Sequence, residues 1–139
     1  MIILEQINDI RKSNMRIAYI RNNGNGKTFN YGSRYGQNLE PAGEYLIADD
    51  LWQDRPEKYM VPNCEYGFIT FRKPLILDFI DTTDKGWKKT LSGMYDGKTG
   101  KRLSSAIKKD CYDGIVTVSD SGIEEIVNLC GIKEIMYTT

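Results

Sequence analysis

The stretch from Asn22 to Tyr45, NNGNGKTFNYGSRYGQNLEPAGEY, limits what this chain can fold into more than any other segment. Gly, Asn and Pro punctuate it throughout, and it shows no sustained helical period, so it reads as a long connection. It follows MRIAYIRN, Met15 to Asn22, which alternates and is rich in Ile and Tyr, the pattern of a strand. A strand that runs into such a connection lacks the crossover helix that a repeated βαβ rhythm requires, so a doubly wound sheet is not indicated. Long connections inside small domains are functional or disordered. Phe29, Tyr31, Tyr35, Leu39 and Tyr45 give this one enough apolar anchors to predict an ordered, functional loop.

The remaining segments complete the pattern. Ile2, Ile3, Leu4, Ile7 and Ile10 predict a short N-terminal helix. EYLIADDLW reads as a short strand or a helix start. YGFITFRKPLILDF, Tyr66 to Phe79, reads as a strand broken at Pro74, which removes a ladder N–H and places the break at an edge or bulge. DKGWKKTLSGMY sets Trp87, Leu91 and Met94 on one helical face, with Gly93 weakening the helix. KTGKRLSSAIKKDCYDG predicts a second helix on Leu103, Ala106 and Ile107, with lysines near its C-terminus and a helix-to-strand turn at Asp113-Gly114. YDGIVTV and EEIVNL flank SDSG as a hairpin, and IKEIMYTT reads as a last strand. The order predicts one domain over residues 1–139, of α+β class with mostly antiparallel pairing.

Composition removes several chemistries. The chain has no histidine, so His-based acid–base catalysis, Ser-His-Asp and Cys-His machinery and the commonest zinc ligand are excluded. Cys64, Cys111 and Cys130 are odd in number and widely spaced, which indicates neither a zinc site nor a disulfide framework. They are expected to be free and mostly buried in a reducing cytoplasm. MIILEQINDIRK lacks the features of a secretory leader, and no apolar run approaches the ~18 residues of a membrane span. Lys+Arg and Asp+Glu both total 19, so net charge makes no case for general nucleic-acid binding. One segment does collect cations: Lys85, Lys88, Lys89, Lys98, Lys101, Arg102, Lys108 and Lys109. As a default, such a run is a solvated face.

GNGKT within the long connection contains the last part of a phosphate-binding P-loop. That motif needs a glycine five residues before Gly26, where this chain has Arg21, and a helix after Thr28, where it has FNYGSRYGQ. GNGKT is therefore read as a turn. Asp49, Asp50 and Asp54 in ADDLWQD raise the alternative of a Mg²⁺-dependent hydrolase, but the segment reads more simply as a loop or helix start.

In the second half, FITFRKPLILDF leads to a Trp-bearing helix. A second helix then runs into CYDGIVTV, and an acidic residue opens EEIVNL. This series resembles the ADP-ribosyltransferase fold, in particular its small phage and mobile-element members. The SRYGQNLEPAGEY loop is similar to one in phage-type members. The resemblance covers about Arg16 to Leu129, and the order of the motifs carries it more than any one motif. It implies an α+β, ADP-ribosyltransferase-like domain: a mostly antiparallel split sheet with flanking helices. It also implies NAD as a substrate and transfer of ADP-ribose to a host protein or nucleic acid, in host cytoplasm and in an anti-defence setting. By that resemblance Glu125 is the catalytic carboxylate that stabilises the ribose cation, with Glu124 as the alternative. Strand alternation lets only one of the two face a given cleft. Arg21, at the end of the first long strand, and Arg34 are the implied NAD contacts, and Tyr45, or else Tyr35, flanks the nicotinamide. The reading requires Arg21 and Glu125 to face each other across one groove. Two family signatures are absent: a Ser-Thr-Ser element, and a second acid two residues before Glu125, where Ile123 stands. Their absence keeps open a catalytically silent protein of the same fold that inhibits a host defence complex by contact.

Overall fold

Short apolar segments become strands and the two amphipathic segments become helices in the computed structural model, which describes residues 2–3, 14–22, 40–78 and 84–139. The strands are β1 (Ile2–Ile3), β2 (Met15–Asn22), β3 (Glu44–Ala48), β4 (Cys64–Phe71), β5 (Pro74–Asp78), β6 (Gly114–Ser119), β7 (Gly122–Asn128) and β8 (Ile132–Thr138). The helices are α1 (Pro56–Tyr59), α2 (Asp84–Met94) and α3 (Gly100–Lys109), with a 3-10 turn at Leu51–Gln53. The eight strands form one sheet in the order β1-β5-β6-β7-β3-β2-β4-β8. Among the described strands, only β5 and β6 pair in parallel. The architecture is mixed α and β, dominated by the sheet.

Three segments differ from expectation. Ile2 and Ile3 are not helical; they pair antiparallel with Asp78 and Leu77, and the rest of the predicted N-terminal helix lies outside the described residues. Pro74 does not interrupt one strand but opens a second, β5, at a rung beyond the reach of β1, which pairs only with Leu77 and Asp78. A proline is tolerated at a strand's first rung because the missing N–H falls at the end of the ladder. The turn before it is held from across the fold: the Asp113 carboxylate accepts the backbone N–H groups of Arg72 at 2.7 Å and Lys73 at 3.1 Å. On α2, Trp87 and Leu91 are buried, whereas Met94, the third residue of the predicted stripe, is 45% exposed.

Both faces of the sheet are buried. On one, Leu75, Leu77, Ile115 and Val127 pack against Trp87 and Leu91 of α2 and Leu103 and Ile107 of α3. Each of these buried aliphatic side chains contributes roughly 1.5–3 kcal/mol. The same face continues onto β2 and β4, where Trp52 packs on Ala18, Cys64 and Tyr66. Ile17, Tyr19, Leu46, Ile69, Phe71, Ile76, Val116 and Ile126 form the core of the opposite face.

Apart from the β1 edge, the shortest seam of the sheet lies between β2 and β3, which pair only at Tyr19–Ala48 and Ile20–Ile47. β2 and β4, in contrast, are in register from Met15–Phe71 to Asn22–Cys64. Past the end of β3 the gap becomes a cleft of about 600 Å³, lined in part by Ala18, Ala48, Asp49, Gln53, Ser121 and Ile123. The three cysteines are free, but only Cys64 is buried; Cys111 and Cys130 are exposed, against the expectation that most would be buried. No helix among the described residues is long and apolar enough to cross a membrane.

Candidate functional site

The β6–β7 hairpin contains an extra residue. Val118 pairs with Ile123, and Val116 pairs with Ile126. One residue on β6, Thr117, therefore stands opposite two on β7, Glu124 and Glu125. This is a β-bulge, a device that breaks the ladder locally and re-aims side chains. The Thr117 side chain repairs the break. Its Oγ1 accepts the N–H of Glu125 at 3.0 Å and donates to the Glu125 carbonyl at 2.9 Å. Glu125 is half-buried, and one of its carboxylate oxygens is closed off from solvent.

Strict alternation was expected to separate Glu124 from Glu125, and the bulge removes that separation. Ile123 and Ile126 both pack into the core of the far face, and the two glutamates together fill the interval in which one residue normally stands.

Register places Glu125 relative to the other candidates. Glu125 pairs with Ile47, and Ile47 pairs with Ile20. Tyr45, two residues from Ile47 on β3, leaves the sheet on this same face, where it packs with the α2–α3 core. The structure thus brings Tyr45 and Glu125 to one face. The Tyr45 ring is held in place: its hydroxyl donates to the Pro41 carbonyl at 2.6 Å. Lys88 Nζ lies 5.6 Å from the ring centroid and makes a 2.9 Å ion pair with buried Glu40.

Arg21 does not join them. It is the neighbour of Ile20 on β2, so its side chain leaves on the opposite face, alongside Tyr19 and Ile17. There Arg21 Nε lies 3.5 Å from Glu44 and Nη2 lies 3.3 Å from Glu65. Lys133 Nζ bridges the same two carboxylates at 2.8 Å each. The Tyr19 hydroxyl donates to Glu65 at 2.5 Å, and Asn128 Nδ2 donates to Glu44 at 3.1 Å. Two cations and two carboxylates thus neutralise one another in a mostly buried cluster. Burial alone would push the Glu65 pKa up, but hydrogen bonds from Lys133 and Tyr19, with the Lys133 and Arg21 charges, outweigh it and leave the carboxyl below its ordinary value. Burial, the hydrogen bond to Glu65 and its negative charge all raise the Tyr19 phenol.

The single groove between Arg21 and Glu125 that the sequence reading required is therefore not formed, because three successive strands in direct register put the two side chains on opposite faces. Arg34, Tyr35 and the GNGKT turn lie outside the described residues. The Asp49, Asp50 and Asp54 segment gives no metal site: among the described residues, no group of three or more Cys, Asp or Glu side chains converges. Asp49 instead accepts the Leu51 N–H at 3.0 Å and shapes the 3-10 turn.

Sequence reasoning missed Thr117, Glu44, Glu65 and Lys133. A signal existed for one of them. Glu65 has the same strand parity as Ile69 and Phe71, which marks it as a carboxylate pointing into a core. Comparison with known proteins finds no matching family model, no significantly similar curated protein and no significantly similar solved structure.

Proposed function

We propose that the helix-covered face at Glu125 carries NAD-dependent ADP-ribosyl transfer onto a host macromolecule, in a phage-type protein of the ADP-ribosyltransferase fold. The bulge opposite Thr117 carries this reading: it fixes the backbone of Glu125 and leaves a half-buried carboxylate on the face shared with Tyr45.

The chemistry needs little more than a placed negative charge. The bond between nicotinamide and ribose C1′ breaks, and nicotinamide departs with the bonding pair. Positive charge develops on the ribose, and Glu125 stabilises it. A lone pair on the acceptor then closes on C1′ while the acceptor loses a proton to solvent. Arg21 has no part in this scheme; Arg34 and Tyr35 remain its proposed dinucleotide contacts.

The test is to incubate the protein with millimolar NAD, a level in the range of ordinary enzyme KM values, and measure free nicotinamide together with the mass of labelled host proteins and nucleic acids. Glu125→Gln is expected to abolish both signals while leaving thermal stability nearly unchanged. No nicotinamide release by the native chain overturns the enzymatic reading.

A second reading, a catalytically silent protein of this fold that inhibits a host defence complex by contact, is favoured by one observation. The guanidinium of the first long strand is already held by Glu44 and Glu65. A thermal shift with a purified defence complex, but none with NAD, is the outcome that this reading expects.

A further inference from the structure

Helix α3 buries Leu103, Ser104 and Ile107 and exposes Lys101, Arg102, Ser105, Lys108 and Lys109. Its sequence, GKRLSSAIKK, holds four cations and no acid. Four cations elsewhere in the fold are matched: Arg16 with Glu134, Arg21 and Lys133 with Glu44 and Glu65, Lys88 with Glu40. Among the described residues, Arg102, Lys108 and Lys109 have no ion-pair partner.

Helix stability does not account for all of this charge. Lys108 and Lys109 lie in the last turn, where the helix dipole favours cations. Lys101 and Arg102 lie in the first turn, where the dipole opposes them. An anion lying along the helix would offset that penalty for Arg102.

The surroundings of α3 fit the same occupant. A cleft of about 700 Å³ runs along one side, lined by Tyr95, Lys98, Lys101, Arg102, Ser105 and Lys109 among others. A second cleft of about 280 Å³ lies on the other side, with Ala42, Ser104, Lys108 and Asn128 in its wall. Lys101 and Ser105 line both, so α3 is a basic crest between two hollows. Two acids also stand in the first hollow, at its edges: Asp96, 3.9 Å from Lys98, and Asp110, which accepts the Tyr95 hydroxyl at 2.8 Å. From Lys101 to Lys109 the helix rises about 12 Å. At roughly 3.4 Å of duplex axis per phosphate of one strand, that length matches the axial span of about four phosphates.

We propose that α3 is a docking ridge for the phosphate backbone of nucleic acid, bound without sequence preference. Lys101, Arg102, Lys108 and Lys109 supply the charge, and Ser105 supplies a hydrogen bond at the crest. The ridge operates whether or not Glu125 is catalytic, so Glu125→Gln protein binds as the native chain does.

The test is fluorescence anisotropy with a labelled 20-base-pair DNA duplex and a labelled single-stranded RNA of the same length, in the full chain, between 50 and 200 mM salt. Four contacts predict a log–log salt slope of about −3.6 for the duplex, a loss of roughly 150-fold over that range. The double variant Arg102→Gln/Lys109→Gln is expected to weaken binding and reduce the slope by about 1.8. Lys58→Gln/Arg72→Gln removes the same charge from exposed positions off the ridge and is expected to leave binding unchanged. Absence of binding to either nucleic acid at 50 mM salt, equal weakening by both double variants, or binding to anionic phospholipid vesicles in place of nucleic acid would each overturn the proposal.

Discussion

The hydroxyl of Thr117 holds both backbone polar groups of Glu125, accepting from its N–H at 3.0 Å and donating to its carbonyl at 2.9 Å. One side chain thereby closes the ladder where β7 carries an extra residue. Thr117 is 1% exposed, so water cannot take over either bond. Thr117→Val keeps the shape and removes the hydroxyl. Each backbone group left unpaired costs about 1–3 kcal/mol, so a loss of roughly 2–6 kcal/mol is expected in urea unfolding. Thr117→Ser should recover most of it. A valine variant as stable as the native chain would show that the bulge is held by something else.

Glu65 makes stability depend on acid. Its carboxyl, which ordinarily titrates near 4.5, is held lower in the folded protein, where burial is outweighed by hydrogen bonds from Lys133 and Tyr19 and the charges of Lys133 and Arg21. A depressed native pKa contributes stability above the unfolded value, and that contribution disappears as pH falls through 4.5 and below. Glu65→Gln leaves Arg21 and Lys133 short of one counter-charge, and breaking a buried pair in this way costs on the order of 3–5 kcal/mol. Urea midpoints measured from pH 7 down to about pH 3 should show a steep acid limb for the native chain. The glutamine variant should start lower and fall less steeply. Parallel acid limbs would mean that Glu65 is not the group responsible.

What could be read from the sequence followed from period, and what could not be read depended on partners distant in the chain. β2, the two longer helices, the last hairpin and the final strand all announce themselves through alternation or helical spacing. Nothing local says that β8 leaves the hairpin and pairs with β4 at the far end of the sheet. Ile2 and Ile3 are too few to show a strand period, and the isoleucines after them suggested helical spacing instead. The side on which Arg21 leaves was illegible for a physical reason. MRIAYIRN has apolar residues at both parities, Ile17 and Tyr19 on one and Ala18 and Ile20 on the other, because both faces of β2 are covered. The bulge at Glu124–Glu125 was also invisible, since a pair of adjacent acids carries no mark of an extra residue.

Gly114 tests how tightly the β4–β6 corner is packed. A Cβ added there would meet the Phe71 ring well inside van der Waals contact, and one added at Gly131 would approach the same ring to 2.6 Å. Phe71 is fully buried, so its ring has no free side to turn toward. Gly114→Ala is expected to cost at least about 1–3 kcal/mol by overpacking. Adding Phe71→Leu to that variant should return part of the loss, because it removes the ring that clashes. If the double variant is less stable than the sum of the two single changes, steric conflict is not the cause.

Lys88 and Glu40 form a buried pair whose removal should depend on how it is done. Their side chains are 7% and 2% exposed, and they meet at 2.9 Å. Lys88 also lies 5.6 Å from the centroids of both Tyr45 and Trp87, so its stem fills space between rings. Lys88→Met keeps that volume but strands the Glu40 carboxylate, at a cost of about 3–5 kcal/mol. Replacing both as Lys88→Met/Glu40→Met removes the stranded charge along with its partner, and such double changes are often neutral or stabilising. The expected order of thermal midpoints is therefore native and double variant close together, with the single variant well below. That order separates a pair retained for fold specificity from one required for stability: a double variant as unstable as the single one would assign the stabilisation to the ion pair itself, and a stable one would assign it to the packing of the Lys88 stem.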